Sequence, residues 1–342
     1  MKALALEKII DLGKEKEALK TIFPPLPEPA SGEIMIKVST CGVCHTELDE
    51  IEGRTAPPRL PVIPGHQVVG RVAKKGKKAN AFNMGDRVGV AWIYSACGKC
   101  DFCTSGRENL CSHFVATGRD VNGGYAQYMT VSEKFAHAIP DIFSDVEAAP
   151  LLCAGAIGFR ALKLSGIADG AHIGLTGFGA SNHIVMKLAR HLYPAAKIYV
   201  FARSQRERDF ALELGACWSG KSDDKTPEKL HAVIDTTPAW KPVIHALSNL
   251  KGGGRLVINA IGKEEHDKDC LLEMDYPSHL WMEKEIKSVA NITRDDVSGF
   301  LKIAAQIPIK SHVQVFHLEE ANKALAELKE GKIRGAKVLQ IG

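Results

Sequence analysis

At 342 residues the chain exceeds what one hydrophobic core usually fills, and its 45% hydrophobic content is enough to bury two. The net charge of +4 is small, and no Lys/Arg block is dense enough to point to nucleic acid. No apolar run is long enough to span a bilayer, and Met1 to Lys8 lack the apolar segment of a signal peptide. The expectation is a cytoplasmic enzyme with no nucleic-acid and no membrane partner.

Residues 1–150 read as mostly β. Residues 24–29, four of them proline, form a connecting loop. Ile34, Ile36 and Val38 alternate with polar residues, which predicts a half-buried strand. Val68 to Val72 and Asp86 to Val90 read as further short strands between Gly and Pro punctuation. Near residue 150 the pattern changes. Helical stretches, Ala156 to Leu164 and Ile184 to Leu192, alternate with apolar strands, Ile198 to Phe201 and Leu256 to Ile261. That alternation predicts βαβ units and a parallel sheet. Leu318, Ala321, Leu325 and Leu328 recur at helical spacing, and Lys337 to Ile341 closes the chain as a strand.

Four cysteines, Cys97, Cys100, Cys103 and Cys111, have the spacing Cys-x2-Cys-x2-Cys-x7-Cys. Four thiolates complete a tetrahedral zinc shell with no open position, the pattern of a structural site. Lys99 and Arg107 are matched there by Asp101 and Glu108, so this lobe, about 93–113, has no basic face. Cys44, His66 and Cys153 form a second set: two thiolates and one imidazole, far apart in sequence. Three protein ligands leave a fourth position for water or substrate. Taken singly, His66 reads as a packed or surface histidine and Cys153 as a small buried hydrophobe. The nine cysteines are an odd number, six of them in these two sets, which fits a reducing compartment. Cys41, Cys217 and Cys270 read as structural.

Gly174, Thr176, Gly177, Phe178, Gly179 and Ala180 form a glycine-rich turn from an apolar strand into a helix beginning near Ser181. Such a turn cradles a pyrophosphate, because free N–H groups and the helix dipole point at it. Thr176 stands where the second glycine of G-x-G-x-x-G is expected, so a plain tight turn is the alternative. The next strand ends in Ala202, Arg203 and Ser204, with Arg206 close by. An NAD site usually has an acid there for the ribose hydroxyls. Its loss, with an arginine beside it, favours NADP over NAD; the alternative is a solvated helix start.

The segments Cys41 to Glu47, Pro64 to Gln67 and Leu151 to Gly155, the Cys97–Cys111 lobe and the Gly174–Gly179 loop together resemble the zinc-dependent alcohol dehydrogenases of the medium-chain dehydrogenase/reductase superfamily. The resemblance spans nearly the whole chain. It implies an α/β protein: a GroES-like, mostly-β catalytic domain (1–150), a Rossmann doubly wound parallel-sheet coenzyme domain (151–294) and a C-terminal segment (295–342) returning to the first. It further implies two zinc ions per chain, an active site in a cleft between the domains, a small alcohol or aldehyde substrate, and a homodimer or homotetramer. Carried over by position, Cys44, His66 and Cys153 match the catalytic zinc ligands. Thr46 matches the hydroxyl that takes the alcohol proton, His45 a position near the coenzyme phosphates, and Glu47 the carboxylate that holds the His66 ring. Three positions depart from the family pattern. Gln67 replaces a Glu, Asp49 a relay His, and Ala336 a phosphate-contacting Arg, with Arg334 two residues away. These departures sustain a rival reading, a non-catalytic zinc-folded NADP-binding sensor or structural protein. Trp92 reads equally as a pocket wall or as core.

Overall fold

The computed structural model describes residues 1–307, 309, 312–332 and 335–342. Arg334, two residues from Ala336, lies outside the described residues. The chain divides into two compact units, residues 1–156 with 292–342, and residues 157–291.

The first unit is built on a seven-stranded sheet whose central element is the long strand Glu33–Val43. Ile34, Ile36 and Val38 are all buried, as alternation demands. This strand pairs antiparallel with Val68–Lys75, Tyr128–Ser132 and Ala336–Gln340. Register shifts at Met35/Ile36 and Val38/Thr40 break its pairing with Val68–Lys75. Past these irregularities the residues Cys41, Gly42 and Val43 are all buried. Arg87–Val90 and Ala136–Ala138 extend the sheet on one side, and Val313–His317 extends it on the other. A short helix, His45–Ile51, follows the long strand at once, with Cys44 as its N-cap residue. The C-terminal helix comes in two parts, a 3₁₀ turn Leu318–Glu320 running into Ala321–Lys329. Its predicted apolar face, Leu318, Ala321, Leu325 and Leu328, is buried in the core of this unit.

The second unit carries a six-stranded, all-parallel sheet made of His172–Thr176, Lys197–Phe201, Trp218–Gly220, Leu230–Asp235, Leu250–Ile258 and Glu285–Ser288. Counted in chain order, the strands lie 3-2-1-4-5-6 across the sheet, the Rossmann arrangement. The strand predicted at Leu256–Ile261 is displaced toward the N-terminus. It ends at Ile258 because its partner strand ends at Asp235, whose carbonyl accepts the Asn259 N–H at 2.7 Å. It starts at Leu250 because a register shift between Leu230 and Ala232 admits the glycines 252–254. The helices Ala154–Ser165 and Ala180–Leu192 occupy the predicted segments and extend each by a few residues. One helical stretch, Asp145–Ser165, has the length and apolarity of a membrane span. However, 67% of its most apolar window is buried in the protein, as in a core helix.

Gly65 decides how His66 is delivered. Its φ is +101°, and a Cβ there would overlap Tyr125 Cδ1 and Cys41 Sγ. Gly65→Ala is therefore expected to lower stability by roughly 1–3 kcal/mol from overpacking, plus the cost of a left-handed backbone. Denaturant unfolding checks this: an unchanged midpoint would show that Tyr125 and Cys41 yield freely.

Candidate metal centre and coenzyme loop

Three segments of the first unit converge on one point. Cys44 caps the helix His45–Ile51, His66 follows the Gly65 turn, and Cys153 ends the 3₁₀ turn Ala149–Leu152. The sulfur atoms of Cys44 and Cys153 lie 4.0 Å apart, and the ligand atoms of all three residues lie within 4.8 Å of one another. His66 is fully buried, and its Nε2 has no hydrogen-bond partner among the described residues. An orphaned buried imidazole nitrogen facing two thiols fits a thiophilic cation of zinc type.

Glu47 organises this cluster. It is fully buried; its Oε2 accepts the Cys44 backbone N–H at 2.8 Å, and its Oε1 stands 2.6 Å from His66 Nδ1. Burial raises its carboxyl above the ordinary range, while the facing imidazole works against that rise. Burial would likewise pull His66 down, but the Glu47 carboxylate and Cys44 outweigh it and push the ring well up. Cys44 is held well below the usual thiol range, first by the hydrogen bond from Cys153 and then, against its burial, by His66. Cys153, which keeps its proton in that contact, is pushed well up. The net result is anionic character around one imidazole, a field that favours a cation.

The remaining residues of this helix have distinct surroundings. Thr46 is buried, its Oγ1 3.6 Å from Cys44 Sγ. His45 is exposed at the first helical position. Asp49 pairs with Arg54 Nε at 2.5 Å, so it is tied up in an ion pair. Gln67 is buried with its amide over Gly42, where any Cβ would collide with it. Trp92 packs against the core and stacks with Phe114 at 5.1 Å, with the Arg119 guanidinium 5.3 Å from its ring centre. Its surroundings are those of a packed tryptophan.

Cys97, Cys100, Cys103 and Cys111 also come together, their sulfurs all within 4.8 Å. Cys100 caps the short helix Asp101–Thr104. The backbone N–H groups of Lys99 and Cys100 bring the Cys97 thiol down to about 6. Glu108 of this lobe accepts from both the backbone N–H and the Nε of Arg294, at 2.9 and 3.0 Å, tying the lobe to the helix Arg294–Gln306.

In the second unit the glycine turn joins His172–Thr176 to the 13-residue helix Ala180–Leu192. Gly177 has φ +76°, a conformation that glycine adopts without strain. Gly179 is the N-cap; it has no side-chain cap, and space beside its Cα is open. Uncapped N–H groups at a long helix start fit a phosphate. Thr176 ends the strand and Phe178 is buried against Phe210. Gly174 lies within the strand, where the absent side chain makes room for Leu230 rather than for the turn. Ala202 is buried, while Arg203 and Ser204 are exposed. The Ser204 hydroxyl already serves the helix Gln205–Glu213, exchanging hydrogen bonds with Glu207 in a capping box.

Three residues that sequence reasoning passed over hold these loops. Asn182 Nδ2 donates to Thr176 O, Gly177 O and Thr236 Oγ1 at 3.0, 2.7 and 3.2 Å. Arg208 donates to the carbonyls of Ala202 and Arg203 at 2.8 and 2.9 Å. Lys263 pairs with buried Asp235 at 2.5 Å and bonds two nearby carbonyls. A polar residue early in a helix was the only signal for Asn182, and the other two carried none.

A β-rich unit with two cysteine-based clusters that could hold a metal, and a separate Rossmann unit, are the pattern of a zinc-type medium-chain dehydrogenase. The comparisons with known proteins agree. Residues 30–141 match the family model for the alcohol dehydrogenase GroES-like domain. A probable alcohol dehydrogenase AdhA of Mycobacterium tuberculosis is 42% identical over 328 residues, covering 94% of this chain and 93% of that protein. An alcohol dehydrogenase of Geobacillus stearothermophilus is 33% identical over 335 residues, 95% of this chain and 96% of that protein. Among solved structures, a cinnamyl alcohol dehydrogenase of Sorghum bicolor superposes with a TM-score of 0.86 at 26% identity, covering 99% of this chain and 97% of that one. The chain belongs to the zinc-dependent alcohol dehydrogenase family of the medium-chain dehydrogenase/reductase superfamily, and it is an oxidoreductase of the alcohol dehydrogenase type.

The four-cysteine lobe lacks a hydrophobic core of its own: its short helix buries no residue. Cys103→Ser is expected to lower Tm by roughly ten degrees or more, because a structural metal contributes folding free energy. Calorimetry checks this, and an unchanged Tm would mean that the lobe folds without its fourth thiolate.

Proposed function

We propose that the protein oxidises a small alcohol to an aldehyde or ketone, reversibly, with zinc at Cys44, His66 and Cys153 and with NADP as the preferred coenzyme. The first unit is the catalytic part and the second the coenzyme-binding part; a second zinc sits in the Cys97–Cys100–Cys103–Cys111 lobe. The observation that carries this reading is the triad of two half-buried thiols and one buried imidazole, its Nε2 unpartnered among the described residues, within 4.8 Å. When bound, zinc supplies Lewis acidity that favours the deprotonated alcohol, and the nicotinamide accepts hydride from the carbinol carbon.

The chain's own residues do the rest. Cys44 and Cys153 balance the metal's charge, and Glu47 fixes the ring orientation of His66. Thr46 is the first proton acceptor, since its hydroxyl lies 3.6 Å from a ligand sulfur in a buried setting. Asp49, paired with Arg54, does not offer the next proton station a free histidine would. His45, exposed at the helix start, is the residue assigned to the coenzyme phosphates. In the second unit, Gly177, Phe178, Gly179 and Ala180 receive the pyrophosphate at the helix N-terminus. At the adenosine end, Ala202 brings no anion. With the Ser204 hydroxyl engaged by Glu207, the donors for a 2′-phosphate are Arg203 and backbone N–H groups.

Thr46→Val keeps the shape and removes the hydroxyl. Alcohol oxidation is expected to fall on the order of a hundredfold, with metal content unchanged. Near-normal kcat in this variant would remove Thr46 from the proton path. For the coenzyme, kcat/KM with NADP is expected to exceed that with NAD. Ala202→Asp should reverse the preference, and Arg203→Ala should weaken NADP alone, by a severalfold factor given its exposure. A wild type that prefers NAD, with Arg203→Ala indifferent, would contradict the assignment.

A further inference from the structure

The helix His45–Ile51 buries a second carboxylate that the chemistry above does not use. Glu50 is 1% exposed, and neither of its side-chain oxygens has a hydrogen-bond partner among the described residues. It stands three residues after Glu47, so the two carboxylates share one face of the helix. Burial first, and then the charges of Glu47 and Cys44, push its carboxyl well above the ordinary range, while His66 and Arg119 work against that rise. Its ionised form therefore needs further positive charge nearby. Arg119 is committed elsewhere, its Nε and Nη2 donating to Asp120 at 2.8 and 2.9 Å. Gln67, next to His66 in the chain, is neutral.

A buried carboxylate without partners is costly, and one set beside a second buried carboxylate is costlier still. A leucine of similar volume would fill the same space without that cost, and a glutamine would at least remove the charge. Such a charge is compatible with a stable fold where a cation nearby offsets it. The cluster of Cys44, His66 and Cys153, on which Glu50's field acts through His66 and Glu47, is where that cation would sit.

We propose that Glu50 is a positioning residue for the metal centre: it is ionised when the cation is bound, and its negative charge, on the helix face it shares with Glu47, holds the cation against loss. The proposal rests on the metal-centre reading given above. A merely space-filling Glu50 would predict no change on conversion to the isosteric amide.

The test is metal release from the holoenzyme into excess chromophoric chelator, followed as two phases, one for each centre. Cys44→Ser identifies the phase that belongs to the Cys44 centre. In Glu50→Gln that phase should accelerate on the order of tenfold, the lower end of what loss of a group supporting a metal ligand does. Release from the four-cysteine lobe should keep its wild-type rate. Tm should be unchanged or higher, because the amide removes a buried charge. Glu50→Asp should bring release back toward wild type. Equal release in wild type and Glu50→Gln would overturn the proposal, as would acceleration of both phases together with a lower Tm, which is general loosening. A wild type that releases no metal from the Cys44 centre would overturn the metal-centre reading itself, and the proposal with it.

Discussion

One carboxylate holds the Cys44–His66 part of the first unit together. Glu47 closes the first turn of its helix through the Cys44 backbone N–H and, with its other oxygen, faces His66 Nδ1. These two contacts join residues that are far apart in the chain and set Nε2 of the ring toward the two thiols. Burying a carboxylate is costly unless its oxygens meet positive or donor groups. The geometry is therefore self-enforcing: moving Cys44 or His66 would strand Glu47. The Gly65 turn matters for the same reason, since it brings the His66 backbone against Tyr125 and Cys41.

The second unit relies on a different constraint. There the chain exposes the uncapped start of a long helix, and the loop before it is braced by side chains that bond backbone carbonyls. Asn182 does this from within the helix, and Arg208 does it at the end of the next strand. Both fix the loop carbonyls, while the Gly177 and Ala202 N–H groups bond Phe201 O and Gly220 O, each at 2.9 Å. The Ser204 capping box shows the opposite economy: a hydroxyl that reads as a ligand group is already employed by its own helix. Under the proposed NADP assignment, recognition at that end would fall on Arg203 and the main chain.

What the sequence made readable follows the range of the interactions involved. The four-cysteine lobe was plain because all its ligands fall within 97–111, and spacing alone carries the geometry. Alternation in Ile34, Ile36 and Val38 and the strand–helix alternation beyond residue 150 were readable because burial imposes a period on local sequence. Cys44, His66 and Cys153 became visible only through their flanking residues, since nothing in a lone histidine or cysteine reports a partner a hundred residues away. Glu50, Arg208 and Lys263 stayed hidden because their environments are wholly tertiary. A glutamate in a charged helix looks solvated until the fold buries it. The strand that ends at Ile258 rather than Ile261 errs for a related reason: its length is set by the neighbour that ends at Asp235.

The central claim is that Cys44, His66 and Cys153 hold a catalytic metal distinct from the one in the four-cysteine lobe. Elemental analysis of wild type and Cys153→Ser, each assayed for alcohol oxidation, tests it most directly. The account predicts two zinc ions per chain in wild type and one in the variant, with the fold intact and oxidation abolished. A Cys153→Ser protein that keeps both metals and its turnover would contradict it.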